Sequence, residues 1–232
     1  IAGRGIDPNK IAVIFNGVSD ADYAAAREVR TNGAATQLRA SLGISPLTKV
    51  VLYIGNHGES QALEQFIDAA RLLARRTDTL FLLVGSGAEK AKLQEYARGV
   101  PNLQFLPAVG HQEVWAYYAM ADINIVCLKN IPDFAMFIPS KMFEIMAAES
   151  VAVAGLHGEG AEIMNESGCA RVVPPQAPDQ MAAAIADVLD DSTRRSQMAT
   201  SGRAFVAKHF LHSQLAAQYV AVMNRLINPQ SR

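Results

Sequence analysis

Glu144 is a carboxylate set in an apolar surface, and such a group is costly unless something hydrogen-bonds it. It lies in the stretch FAMFIPSKMFEIMAAESVAVA, Phe134 to Ala154. This reads as a loop, a helix begun through Pro139 and Ser140, a turn at Glu149 and Ser150, and a buried strand Val151–Ala154. The helix is apolar almost all round, through Met142, Phe143, Ile145, Met146, Ala147 and Ala148, so it should be packed on most sides. A sugar diol would suit Glu144, since two adjacent hydroxyls can donate to its two oxygens. The N–H groups at Pro139–Lys141 could hold a phosphate at the helix start. The plainer alternative is a salt bridge to Lys141, three residues earlier on the same side. The helix by itself leaves both open.

Further chemistry would have to come from loops that follow strands. In Gly55-Asn56-His57-Gly58-Glu59-Ser60-Gln61, two glycines let the backbone approach an anion, and the next helix adds donors and partial positive charge; a ligand-free turn is the alternative. Gly85-Ser86-Gly87-Ala88-Glu89-Lys90 starts like a dinucleotide fingerprint but has Lys90 where the third glycine belongs, which argues against a nicotinamide or flavin site. Pro107-Ala108-Val109-Gly110-His111 could present backbone groups to a planar base. Lys129–Ser140 is long for a connection of this kind and suggests a functional loop. Gly155–Gly160, with two glycines and Glu159, reads as mobile. His57 and His111 could do acid/base work but more often a loop histidine caps or is solvated. Trp115, Tyr117 and Tyr118 read as the packed face of a helix, Cys127 as a small hydrophobe, and Arg194 and Arg195 as a solvated face. No Ser-His-Asp order and no metal-ligand spacing stands out.

The elements that must position these groups alternate regularly. Strands Val50–Ile54, Leu80–Val84, Leu103–Leu106, Ile123–Leu128, Val151–Ala154 and Ala170–Val173 are separated by helices Gln61–Arg75, Lys90–Arg98, Gln112–Met120, the helix at Ser140, and Gly160–Ser167, with Pro178–Leu189 after the last. The strands are continuous apolar runs, as expected where helices cover both faces of a parallel sheet, so the fold class is α/β with a doubly wound, Rossmann-like parallel sheet. Ligands in such sheets bind beyond the carboxyl ends of the strands. Before this run come a loop at Ile1–Pro8, a strand at Lys10–Phe15 stopped by a positive-φ turn at Asn16-Gly17, a polar, Ala-rich and irregular excursion Ser19–Gly33 with some helix, and a short helix Ala34–Leu42. After it, Ser192–Ile227 reads as helix without strand, packing across the sheet edge or onto a neighbour. The chain is expected to be a single domain over 1–232, with 192–232 a helical extension.

Half of the 232 residues are hydrophobic and the formal charge is −1, which suits a soluble globular chain and argues against a nucleic-acid partner. Two cysteines in apolar stretches favour a reducing, cytoplasmic setting over a disulfide scaffold. No run is long enough to span a bilayer. The start at Ile1 rather than Met suggests a fragment of a longer protein.

The succession KIAVIFNGVSD, VVLYIGNHGESQALEQFIDAARLL, LFLLVGSGAEKAKLQEYA, NLQFLPAVGHQEVWAYYAMADINIVCL, PSKMFEIMAAESVAVAG and GRAFVAKHF resembles the C-terminal half of family-4, GT-B-fold retaining glycosyltransferases. It covers nearly the whole chain in order. YIGNHGES-Q and PSKMFE look most like the subgroup that builds bacterial capsule, lipopolysaccharide O-antigen or exopolysaccharide from nucleotide-activated amino or deoxy sugars. The resemblance implies that this half binds a nucleotide-sugar donor, UDP-linked, as substrate, with no cofactor and no metal. An N-terminal domain, absent from this chain, would bring a glycan or lipid-linked acceptor. It implies that Glu144, second glutamate of an E-x7-E motif, takes the ribose hydroxyls, that Ser140 and Lys141 hold the diphosphate, that the loop of Gly55, Asn56 and Gly58 faces the diphosphate too, and that Pro107 and Val109 flank the base. It also implies a location at the cytoplasmic side, with room for peripheral membrane association of the full protein, and little or no activity for this half alone.

Two departures from the family pattern matter. The first glutamate of the motif falls at Met136, and the Arg and Lys common in the first glycine loop are Asn56 and Gln61 here. Lys141, with Lys129 behind it, is then the nearest replacement cation for a departing diphosphate. Two other readings stand beside the first: a non-hydrolysing nucleotide-sugar epimerase of the same fold, and a degenerate, non-catalytic domain serving in assembly.

Overall fold

In the computed structural model, residues 5–227 are described; residues 1–4, the start of the expected N-terminal loop, and residues 228–232, the end of the expected extension, lie outside them. Six parallel strands form one sheet in the order β3-β2-β1-β4-β5-β6: β1 (Lys49–Ile54), β2 (Thr79–Val84), β3 (Leu103–Leu106), β4 (Ile123–Cys127), β5 (Ala152–Gly155) and β6 (Ala170–Val173). Side chains alternate between the faces. Val50, Leu52 and Ile54 of β1 join one buried layer with Trp115, Phe143 and Val206, while Val51 and Tyr53 join another with Phe66, Leu93 and Met181. Helices cover both, which confirms the doubly wound α/β expectation.

The first layer contains α1 (Asp20–Thr31), α2 (Ala34–Ser41), α5 (His111–Met120), α6 (Lys141–Ala147) and α7 (Glu159–Ser167); the second contains α3 (Glu64–Leu72), α4 (Lys90–Tyr96) and α8 (Pro178–Asp190); α9 (Ser192–His209) reaches both, through Val206 on the first and Met198 and Ala199 on the second. The last helix, α10 (His212–Ile227), keeps Tyr219, Val220 and Met223 exposed. At seven residues α6 is too short to persist on its own. Met142, Phe143, Ile145 and Met146 are wholly buried, and each such side chain contributes roughly 1.5–3 kcal/mol. The far end of α6 is also capped: Arg30 Nη1 donates to the Ala148 carbonyl at 3.2 Å, and Arg203, stacked 3.8 Å over the Tyr23 ring, donates to that of Ala147.

The strand order reverses between β1 and β4, and there the sheet opens. β1 pairs with β2 along its full length, from Lys49↔Thr79 to Ile54↔Val84, but with β4 only at Val51↔Ile123 and Leu52↔Asn124. The carboxyl ends of β1 and β4 therefore part, leaving a crevice at the switch point where such sheets take ligands.

Five expectations need correction. Residues 10–15 are not a strand. A short 3-10 turn, Pro8–Lys10, leads into a segment without regular structure whose Val13 is 69% exposed, and among the described residues no strand pairs with it. Gly17 needs no positive φ; a β carbon there would lie 2.0 Å from the Phe210 carbonyl oxygen, so the glycine serves close approach. Residues 19–33 are mostly regular α1, capped by the Ser19 hydroxyl accepting from Asp22 N at 3.0 Å. Arg195 is not a solvated face: it donates to the Val188 and Leu189 carbonyls and lies 3.4 Å from Asp122. The expected helix over residues 61–75 is trimmed to α3 by a 3-10 turn, Glu59–Gln61, and by Ala62 at φ 44°.

Candidate functional site

Glu144 and Lys141 do not pair. The Lys141 ammonium runs under the turn after β1, donates to the Ile54 carbonyl at 2.9 Å and sits 3.8 Å over the Tyr53 ring. It thereby satisfies a carbonyl that the parting of β1 from β4 leaves without a ladder partner. Burial holds its pKa down to about 8, with Cys127 and then Glu144 pulling it back up. Glu144, one helical turn on, accepts instead from the Tyr118 hydroxyl, 2.8 Å from Oε2. Among the described residues no donor reaches its other oxygen, and the residue is part-exposed at the crevice.

The glycine turn is built around that ammonium. Gly55 has φ 139°, and a β carbon on it would stand 3.0 Å from Lys141 Nζ. Tyr53 donates its hydroxyl to the Asn56 carbonyl at 2.7 Å, and Gly58 N donates to Gln61 Oε1 at 3.2 Å. Gln61 therefore acts within the turn, and the Asn56 side chain lies against Gly58 and Gly87. The second glycine loop locks onto the first. His57 N donates to the Ser86 carbonyl at 2.8 Å, and a β carbon on Gly85 would lie 1.9 Å from the Gly55 carbonyl oxygen. Lys90 ties the same loop down by donating to the Gly85 and Leu106 carbonyls at 2.6 and 2.9 Å. Residues 85–90 are thus the second wall of the first turn.

His57 is fully buried between the Tyr53 and Phe105 rings, with neither ring nitrogen in a hydrogen bond. Burial, and next the positive charge of Lys90, push its pKa down to about 4. It is neutral at ordinary pH and sealed from any ligand, so it does no acid/base work in this state. His111 lies apart on the surface, 3.0 Å from Asp22. Pro107 is exposed and Val109 part-buried in the turn after β3, two strands from β1 and joined to the site through the Leu106 carbonyl, which accepts from Gly85 N and Lys90. Ser140 is exposed at the start of α6, and its side chain caps nothing. Lys129, the reserve cation, pairs with Glu59.

The loop between β4 and α6 carries a 3-10 turn, Pro132–Met136, with Met136 75% exposed. It rests against the loop after β5: a β carbon on Gly158, at φ 65°, would lie 2.0 Å from the Ala135 carbonyl oxygen. Met136, where the family resemblance implies a glutamate, is therefore an exposed apolar side chain on this loop. Tyr118 is the site residue that sequence reasoning placed elsewhere, in the packed face of α5. Its signal was a polar hydroxyl on an otherwise buried face, which must find a partner. No group of three or more potential metal ligands occurs among the described residues.

A family model described as "Glycosyl transferases group 1" matches residues 48–191. The chain is 33% identical over 180 residues to WcaI of Escherichia coli strain K12, which is named for glycosyl transfer in colanic acid biosynthesis; the match spans 75% of this chain and 41% of WcaI. Among solved structures it is similar to HepE of Anabaena, crystallised with UDP and glucose, at TM-score 0.77 and 17% identity, covering 96% of this chain and 59% of that one. It is also similar to the C-terminal domain of the group 1 protein LpcC of Francisella tularensis, at TM-score 0.62 and 17% identity, covering 84% of this chain and 95% of that one. The chain spans about half the length of the curated relatives it matches.

Proposed function

This chain belongs to the glycosyl transferases group 1 family, with the GT-B fold, and we propose that it is the donor-binding half of a retaining enzyme. The donor is a nucleotide sugar, in this reading UDP-linked, and no cofactor is needed. Glu144 takes the ribose hydroxyls. The turn of Gly55, Asn56 and Gly58, with Lys141 beneath it and Ser140 opposite, takes the diphosphate, and Pro107 and Val109 flank the base. The observation that carries the reading is a carboxylate oxygen on Glu144 that no donor reaches among the described residues, one helical turn from an ammonium held under the glycine turn at the switch point.

The chemistry that follows is mainly positioning and electrostatics. As the bond from sugar to diphosphate breaks, negative charge grows on the phosphate, and the Lys141 ammonium is already desolvated and aimed. The donor phosphate assists the incoming hydroxyl on the same face of the sugar, which retains the anomeric configuration. The acceptor, a glycan or a lipid-linked one of bacterial surface polysaccharide, is brought by an N-terminal domain of the full protein, at the cytoplasmic side and in contact with the membrane surface if the acceptor is lipid-linked. Support for the polysaccharide context is the name of WcaI, and for the nucleotide the UDP in the HepE crystal. No helix among the described residues is long and apolar enough to cross a membrane.

The test is calorimetric titration of the chain with UDP, GDP and ADP, beside Glu144→Ala. Selective UDP binding that the variant loses supports the reading. A folded chain that binds none of the three contradicts it and favours an assembly role.

A further inference from the structure

We infer that Tyr118 is a positioning residue of the donor site, holding Glu144 in the one orientation in which it can take a diol; the inference rests on the donor reading above. A glutamate on an apolar helix has an easy way to avoid the cost of desolvating its charge, which is to swing its carboxylate out to water. That would spoil it as an acceptor for two hydroxyls placed in the crevice. The Tyr118 hydroxyl opposes this, because it donates to Oε2 at 2.8 Å and holds the carboxylate in that rotamer.

Tyr118 is itself fixed. It is buried in α5, its ring packs on Trp115 with centroids 6.1 Å apart, and its backbone carbonyl accepts from the buried Ser150 hydroxyl at 2.8 Å. Burial first, and then the Glu144 charge, raise its pKa well above the usual tyrosine value, so the hydroxyl remains a donor throughout the working range. Oε2 keeps a second lone pair and Oε1 has no donor among the described residues, so a ribose can bring one hydroxyl to each oxygen without displacing Tyr118. The path runs from Ser150 after α6, through α5, and back to the middle of α6. A substitution that removes only the phenol oxygen should leave the packing and disturb the carboxylate.

The experiment compares wild type, Tyr118→Phe and Glu144→Ala, titrated with UDP and with 2′,3′-dideoxy-UDP, after circular dichroism has shown each to be folded. The expected result is that Tyr118→Phe weakens UDP by about tenfold and 2′,3′-dideoxy-UDP by less than about twofold, so that the preference for the ribose hydroxyls shrinks. Equal weakening of both nucleotides would mean that Tyr118 only packs, and would overturn the inference. Unchanged UDP binding in Tyr118→Phe beside a loss in Glu144→Ala would overturn it while leaving the donor reading standing. Unchanged binding in Glu144→Ala would bring down the donor reading and the inference together.

Discussion

Replacing Lys141 by methionine should weaken UDP binding and remove its dependence on pH above neutrality. The ammonium is already stripped of water beneath the Gly55 turn, with its pKa lowered by burial to about 8 from 10.5. A phosphate at roughly 4 Å attracts it by about 4 kcal/mol at an effective dielectric of about 20. Stripping water from the phosphate offsets about half of that. A loss of about 2 kcal/mol, or about thirtyfold in Kd, is the expected effect of Lys141→Met. The pH dependence follows from the same shift. Below pH 8 the lysine is protonated before the ligand arrives; above it, binding must also bring in a proton. Wild-type affinity should therefore fall about tenfold between pH 7 and pH 9, while the variant's stays flat over that range. Isothermal titration in buffers of different ionisation enthalpy reads both the affinity and the proton taken up, and uridine, which lacks the diphosphate, should show neither effect. Wild-type affinity in Lys141→Met, or the same tenfold fall in the variant, would refute the assignment of Lys141 to the diphosphate.

The same lysine makes stability depend on pH without ligand. Its folded pKa lies below its unfolded one, so the cost of burying the charge is fully present below pH 8 and is relieved as pH rises toward 10.5. The stability of wild type minus that of Lys141→Met, from urea unfolding, should rise through that window by up to roughly 3 kcal/mol. His57 acts at the other end: its pKa of about 4 lies below the unfolded value, so stability falls as pH drops from 6.5 toward 4, and His57→Leu should flatten that loss while leaving UDP binding unchanged. Gly85→Ala should destabilise by more than about 2 kcal/mol, since its β carbon would meet the Gly55 carbonyl oxygen at 1.9 Å with φ at 142°, whereas Gly33→Ala, at φ 82° in open space, should cost only about 1 kcal/mol in thermal unfolding.

Much of the sheet was legible because buried parallel strands are unbroken apolar runs. β1 and β2 contain the apolar runs Val50–Ile54 and Leu80–Val84, with one residue added at the start of each. The same rule failed at residues 10–15, since an apolar run states what a segment could do and not whether a neighbouring strand exists to pair with it. Residues 19–33 read as only partly helical because their low apolarity outweighed a helix start written in Ser19 and Asp22. In the site, Glu144 stood out as a misplaced charge and Gly55 as a needed turn. What could not be read was direction: Lys141 and Glu144 are spaced for a salt bridge, and only the parting of β1 from β4 shows that Ile54's carbonyl claims the lysine. Tyr118, 26 residues from Glu144, and the sealing of His57 depend likewise on packing that no local pattern encodes.

The most direct test of the donor site is a crystal structure of this chain with UDP bound. The account predicts the ribose 2′ and 3′ hydroxyls within hydrogen-bonding distance of the Glu144 carboxylate, with Tyr118 still on Oε2, and the diphosphate over the Gly55 turn. A nucleotide seated elsewhere, or in the crevice with its ribose turned away from Glu144, would contradict it.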